Sequence, residues 1–277
     1  MAAPPPTPPD EASPAPQPGL RVLFVGDVIG RPGRHAVTRL LPGLREELQV
    51  DLVVVNGENS AGGFGITAAT AQELRQAGAD VVTTGNHVWD QKQFLEEIEA
   101  AHFVVRPANY PPGAPGRGAV EVEAAGRRIL VVNLQGRTFM PALDDPFRAA
   151  DEILLEHPEV DHVIVDMHAE ATAEKVAMGW HLDGRVSLVA GTHTHVPTAD
   201  QRILPGGTAY VTDVGMVGPQ DSVIGVTPES SLARFRTGLP QRNLVAGGPV
   251  TFNSVLVTMS RPNRRASTIT RVDRAVV

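Results

Sequence analysis

The chain has 277 residues, with 24 basic against 31 acidic side chains and a formal net charge of −7. That length supports a substantial core, and the charge excludes a protein that grips nucleic acid through a general basic footprint. Cysteine is absent, which excludes a disulfide framework and a thiolate metal site, so any metal must be held by nitrogen and oxygen.

The opening stretch MAAPPPTPPDEASPAPQPG has neither a basic start nor an apolar core. A disordered, proline-rich tail is expected over residues 1–19, not a secretion signal. No apolar run approaches the ~20 residues of a membrane span, so no membrane association is expected and the location is read as cytoplasmic. Residues 20–277 are expected to form one domain.

LRVLFVGD is a continuous apolar strand candidate. In the following RPGRHAVTRLLPGLREELQ, Val37, Leu40, Leu41, Leu44 and Leu48 keep helical spacing. Pro42-Gly43 is expected to kink or shorten that helix. The strand DLVVVNGE leads to a helix capped by Thr67 and closed by Gly78. ADVVTTGN and the helix QKQFLEEIEAA complete a third unit. This rhythm predicts parallel strands with helices outside.

The segment GAVEVEAAGRRILVVNLQG reads as a hairpin turning at Ala125-Gly126. DHVIVDMHAE and VSLVAGTHTH are further strands, separated by a helix from about Thr172 to Trp180. QRILPGGTAYVTD is a second hairpin, and Thr227-Pro228-Glu229 opens a helix. VTFNSVLVTM and STITRVDRAVV close the chain as strands. Two packed mixed sheets flanked by helices fit this order.

Polar residues collect where the strands end. Asp27 follows the first, Glu58 and Asn59 the second, Asn86 and His87 the third, His168 a later one, and His193 and His195 the next. Ligands of parallel α/β sheets sit outside the carboxyl ends of strands. Singly, each residue reads as a turn former, a cap or a hydrogen-bonded core side chain; those readings do not explain why all the strand ends behave alike. His193 and His195, at i and i+2, are expected to leave their strand on one face. Imidazole, carboxylate and amide oxygen suit Mn, Fe or Zn. Two cations need one ligand that reaches both, and Glu58 is the expected bridge.

GDVIG, NGENSAGGFGIT, GNHVWD, DMHAE and GTHTHVPTAD, in that order, resemble the YmdB-type branch of the calcineurin-like metallophosphoesterases from about Arg21 to the C-terminus. The broad superfamily carries a histidine in its Gly-Asp-x-His-Gly motif, whereas this chain has Gly26-Asp27-Val28-Ile29-Gly30; its second motif is Gly57-Glu58-Asn59 in place of Gly-Asp-x-x-Asp. Both departures mark the branch. The resemblance implies a four-layer αββα sandwich. It implies one metal on Asp27, Glu58, Asn59 and His195 and a second on Glu58, Asn86, His168 and His193. The metals would be Fe or Mn, and His87 would be the catalytic histidine. The implied activity is hydrolysis of a small phosphodiester, notably cyclic nucleotides such as 2′,3′-cAMP, by in-line attack of a metal-bridging hydroxide. The Asn59 amide would meet the substrate's equatorial oxygens.

Two alternatives stay open on sequence alone: a nucleotide-sensing regulatory protein that keeps the metal site with little turnover, and another metallohydrolase such as a phosphomonoesterase. A sequence-specific nucleic-acid partner is not expected, and a homo-oligomer is left open. Asp90 is read either as orienting His87 or as capping the next helix. The SAGGFGIT loop is either a substrate cradle or simple turn chemistry. Trp89, Met178 and Trp180 either flank a base or pack against a sheet. His35, His102, His157 and His162 are given no role, and that of His181 is left open.

Overall fold

The computed structural model describes residues 19–260 and 264–276; the expected tail lies outside them, apart from Gly19. The first sheet contains β1 (Leu20–Val25). After it come β2 (Asp27–Val28), α1 (Gly30–Glu47), β3 (Leu52–Asn56), α2 (Ala68–Gln76), β4 (Val81–Thr83), α3 (Phe94–Glu97) with a 3₁₀ turn at Ile98–Ala100, and β5 (Val104–Val105). The second half comprises β6 (Ala119–Ala124), β7 (Arg127–Gln135), α4 (Pro146–Glu156), β8 (His162–His168), α5 (Thr172–Leu182), β9 (Leu188–Thr192), β10 (Arg202–Ile203) and β11 (Ala209–Val211). It ends with β12 (Met216–Pro219), α6 (Pro228–Thr237), β13 (Val250–Phe252), β14 (Ser254–Met259), β15 (Ala266–Arg271) and β16 (Arg274–Val276).

Two six-stranded mixed sheets, ordered β15-β14-β1-β3-β4-β5 and β10-β11-β9-β8-β7-β6, carry the fold. β1, β3, β4 and β5 run parallel, as do β7, β8, β9 and β11. Alternation along the strands shows what packs where. Val22 and Phe24 of β1 and Leu52 and Val54 of β3 share one core with Ile129, Val131 and Ile164 of the other sheet. Leu23, Val25, Val53 and Val55 face the other way, toward Val37 and Leu41 of α1 and Leu74 of α2. Leu130, Val132, Val163 and Val165 likewise meet Met178 and Leu182 of α5 and Ala150 of α4. The layers therefore run helix, sheet, sheet, helix, which is the four-layer αββα sandwich expected. Strands buried on both faces read as unbroken apolar runs.

Three expectations need correction. A third sheet, β16-β13-β12-β2, is built from strands too short to show a period. Helix α1 passes through Pro42 without ending. Pro42, Gly43 and the preceding-turn residue Thr38 are all exposed, so the carbonyl that loses its donor is solvated by water. QKQFLEEIEAA forms only a four-residue helix and a 3₁₀ turn, because its bonds run to the third residue back, as in Phe94 N–H to Gln91 O and Ala101 N–H to Ile98 O.

Candidate metal centre and pocket

The carboxyl ends of both sheets open on one place. Gly26 brings Asp27 there: a Cβ at residue 26 would sit 1.9 Å from the Gly215 carbonyl oxygen, so only glycine permits the approach. Glu58 follows β3, and its amide donates to Asn56 Oδ1 at 3.1 Å. Asn86 and His87 follow β4 after Gly85, whose Cβ would fall 2.3 Å from the His168 ring. His168 ends β8. His193 and His195 follow β9, and the strand's alternation is not what aims them: both have positive φ, 97° and 67°, a costly conformation for a side chain this size. Asp213 holds it in place, accepting from the Thr194 amide at 3.1 Å and hydroxyl at 2.7 Å. The Lys175 ammonium, buried beneath, pairs with the same oxygen at 2.7 Å.

The result brings the sequence-derived residues together. The His193 amide donates to Asp27 Oδ2 at 3.2 Å across 166 residues. His168 Nε2 lies 2.9 Å from Glu58 Oε2, 3.0 Å from Asn86 Oδ1 and 3.1 Å from His193 Nδ1. His195 Nε2 lies 3.3 Å from Asn59 Nδ2 and 3.9 Å from Asp27 Oδ1. Asp27, Glu58 and His168 are completely buried.

Each histidine spends its outward nitrogen on an oxygen. His168 Nδ1 meets Thr192 Oγ1 at 2.9 Å, and Thr192 in turn donates to Asp166 at 2.6 Å, so Nδ1 carries the proton. His195 Nδ1 faces the Ile224 carbonyl at 2.8 Å, which can only accept. His193 Nε2 faces Glu170 at 3.1 Å. The three inward nitrogens are left with lone pairs, the arrangement that acceptors behind the ring impose on metal-binding imidazoles.

A divalent cation fits this donor set. Asp27 Oδ1 and Asn59 Oδ1 are buried with no hydrogen-bond partner, and such orphans are rare without a reason; Glu58 Oε2 has only the His168 ring, at 2.9 Å. Glu58, His168 and His193 offer ligand atoms all within 4.8 Å of one another. Around His168 Nε2, a carboxylate, an amide oxygen and an imidazole nitrogen all present acceptors, and one N–H cannot serve three at once. Without a cation, charge compensation falls on His168. Burial alone would push its pKa down, but Glu58, Asp27 and Asp166 lift it to about 9. Burial acts against ionised Glu58 too, yet His168 beside it holds the carboxyl down to about 2. Asp27 stays raised by burial, despite His195 and His168. His193, desolvated and facing His168, is pushed down to about 3.

His87 differs from these residues. Its amide donates to Glu58 Oε1, but its ring points elsewhere, with Nδ1 at 2.8 Å from Asp90 Oδ2 and Phe64 edge-on at 5.2 Å. Asp90 thus orients His87 and caps no helix, for α3 starts only at Phe94. His87 lines a cavity of about 310 Å³ together with Phe64, His193, His195, Arg234 and Phe235. Gly63 and Phe64 bring the SAGGFGIT loop to its wall. Trp89 packs into the core against Tyr110, Met178 is fully buried, and Trp180 is exposed beside Arg202, so none of them reaches the cavity. His181 pairs with Asp151 on the far face of α5, also away from it.

Sequence reasoning missed Asp166, Thr192, Glu170, Lys175 and Asp213. A carboxylate inside the apolar run HVIVDMH was the readable signal for Asp166. It accepts from Thr83, Asn56 and Thr192, and burial raises its pKa to about 6.

The YmdB-like protein family matches residues 23–272. A 2′,3′-cyclic-nucleotide 2′-phosphodiesterase of Bacillus subtilis is 48% identical over 254 residues, 91% of this chain and 96% of that protein. The crystal structure of a hypothetical protein from Thermus thermophilus superposes with a TM-score of 0.88 at 47% identity, covering 92% of this chain and 99% of that one. That of a novel phosphatase from Mycoplasma pneumoniae gives 0.88 at 36% identity, over 93% and 94%.

Proposed function

This chain belongs to the YmdB-like family, and from that premise we propose that it is a metal-dependent phosphodiesterase acting on 2′,3′-cyclic nucleotides. Asp27, Glu58, Asn59 and His195 would hold one cation, and Glu58, Asn86, His168 and His193 a second. A thiolate-free set of imidazole, carboxylate and amide suits manganese, iron or zinc, and the family resemblance favours iron or manganese among them. When bound, the cations supply Lewis-acid activation of water and neutralise charge developing on phosphorus oxygens. The likeness to the Bacillus subtilis phosphodiesterase supports the substrate class. No nucleic-acid partner of defined sequence is invoked. A cytoplasmic location belongs to the same reading; among the described residues no helix is long and apolar enough to cross a membrane.

The chain's own residues divide the work. The Asn59 amide, at the cavity wall, orients the phosphate by hydrogen bonding to an equatorial oxygen. His87, held through Nδ1 by Asp90, presents Nε2 to the cavity. As imidazolium it gives that proton to the ribose oxygen as its bond to phosphorus breaks. Phe64 at its edge restricts the ring to that orientation.

The observation that carries this reading is the convergence of three acceptors on His168 Nε2 beside two orphaned oxygens, Asp27 Oδ1 and Asn59 Oδ1. The test is turnover of 2′,3′-cAMP and bis-p-nitrophenyl phosphate by manganese-loaded protein, with metal content measured in parallel. His87→Ala is expected to lower kcat by roughly 10²–10⁴-fold with its metal retained. Loss of the metals in that variant would make His87 a ligand, and absence of turnover in the loaded wild type would end the proposal.

A further inference from the structure

The catalytic cavity does not end at its wall. Phe64, Asn243 and Val245 line both the cavity and an open groove of about 540 Å³ beside it. The groove carries Arg31 and Arg242, and no carboxylate lines it, in a chain whose net charge is −7. Arg34, Arg45, Arg137, Arg185 and Arg271 each hold a carboxylate. Arg31 and Arg242 are exposed, and among the described residues neither guanidinium has a partner. Arg31 also stands in the first turn of α1, where no acidic residue accompanies it. A cation there is opposed by the helix dipole, so the fold gains nothing from its charge. The groove is joined to the metal centre through the backbone, for the Gly30 amide donates to the Asn59 carbonyl at 2.9 Å. Gln91 is already spent on the Ala61 and Phe64 carbonyls, which leaves the two guanidiniums, with the neutral Asn243 amide between cavity and groove, as the free side-chain donors among the groove's described residues.

Substrate chemistry says what lies one step from the reacting phosphate. A 2′,3′-cyclic phosphate occupies both hydroxyls on one edge of the ribose, so the sugar can extend only through O5′. We infer that the Arg31–Arg242 groove binds a phosphate attached to that O5′. The preferred substrate is then larger than a cyclic mononucleoside phosphate: a 5′-phosphorylated one, or the cyclic-phosphate end of a short oligoribonucleotide. Guanidinium forks recognise phosphate oxygens bidentately, and the sequence of bases is not read. This inference rests on the cyclic-phosphodiesterase reading of the cavity.

The experiment compares kcat/KM on 2′,3′-cAMP, on its 5′-phosphorylated form, and on the dinucleotide ApA ending in a 2′,3′-cyclic phosphate, for wild type and for R31A/R242A. Both side chains are exposed, so the variant folds. Wild type is expected to prefer one or both phosphate-bearing substrates by about tenfold or more, a charge-assisted contact's worth, with the preference falling as salt rises. A gain with both forms means that any O5′ phosphate is read, and a gain with the dinucleotide alone means that the internucleotide link is. In R31A/R242A the ratio should fall toward one while turnover of 2′,3′-cAMP is unchanged. No preference in wild type, or a preference that survives in the variant, overturns the inference. If no cyclic phosphate is turned over at all, the reading of the cavity fails and the groove is judged by affinity: 5′-AMP must bind wild type about tenfold tighter than R31A/R242A, and equal binding overturns it.

Discussion

Thr192 decides which nitrogen of His168 is free. Its hydroxyl proton goes to Asp166, so its oxygen accepts the Nδ1 proton and leaves Nε2 a lone pair. Thr192→Val keeps the shape and removes the acceptor, after which the ring is free to change tautomer or rotate. Metal affinity is expected to fall roughly 10–100-fold, measured by competition with a chromophoric chelator; unchanged affinity would show that the Thr192 bond does not fix the ring. Side chains at this scale were unequally legible. Asp27, Glu58, Asn59, Asn86, His168, His193 and His195 announced themselves because a polar group directly after an apolar strand has few structural reasons to be there. Asp166 and Thr192 sit one layer down inside the strands, where a single polar residue looks like noise. Lys175 and Asp213 lie 38 positions apart, and nothing local links a lysine in α5 to an aspartate after β11. Only the folded chain shows that they pin the Thr194 backbone between two histidines with positive φ.

The β6–β7 hairpin shows how far an element can be read from its turn. Ala125 and Gly126 both have positive φ, 48° and 67°, as a two-residue turn matched to the strand twist requires. Gly126 adopts that conformation freely, and exposed Ala125 does so against its Cβ. Ala125→Asn places there the residue that tolerates left-handed geometry best after glycine, and is expected to stabilise the protein by about 1 kcal/mol. A rise in Tm of about 2–4 °C with turnover unchanged checks it, and a lower Tm would mean that the strain is not where φ puts it. The hairpin was legible because its turn falls between two runs that alternate or are continuously apolar. The capped start of α2 was legible too: Thr67 accepts from the Thr70 amide in the reciprocal pattern expected of a cap. The small third sheet was not. Its β2 has two residues, and its β12 is Met-Val-Gly-Pro, a sequence with no strand signal; pairing with neighbours already in place makes it extended. Pro42 misled for the opposite reason, since its effect depends on which face of α1 it occupies, and that face is set by the sheet beneath.

At the scale of the molecule, the two sheets face each other through side chains, with one edge tied by the Ala266 amide donating to the Gly207 carbonyl at 2.8 Å. Between their centres that contact is apolar, from Phe24 and Val54 across to Val131 and Ile164. At their carboxyl ends it becomes a wall of buried and half-buried acceptors, with Asp27, Glu58, Asn59 and Asn86 after strands β1, β3 and β4, His168 at the end of β8, and His193 and His195 after β9. Without a cation, only a charged His168, beside Glu58 at 2.9 Å, offsets the two fully buried carboxylates, and the desolvation left uncompensated weakens the junction. The layered order was legible in the sequence because each strand alternates with its helix, but that these two rows of residues face each other is a property of the packing. A cation shared between the rows would complete that compensation and tie the sheets together. Binding to the folded chain alone then adds RT ln(1 + [L]/Kd) to stability, about 4 kcal/mol at a thousand times Kd. Dialysis against EDTA is therefore expected to lower Tm on the order of 10 °C and to abolish phosphodiester turnover, with manganese restoring both. Because His168, His193 and Glu58 carry the junction, His168→Ala should show the lowered Tm already and respond little to EDTA. Equal chelator sensitivity in that variant would mean that the stabilising cation binds elsewhere, and a Tm indifferent to EDTA in the loaded wild type would mean that the two rows hold no cation at all.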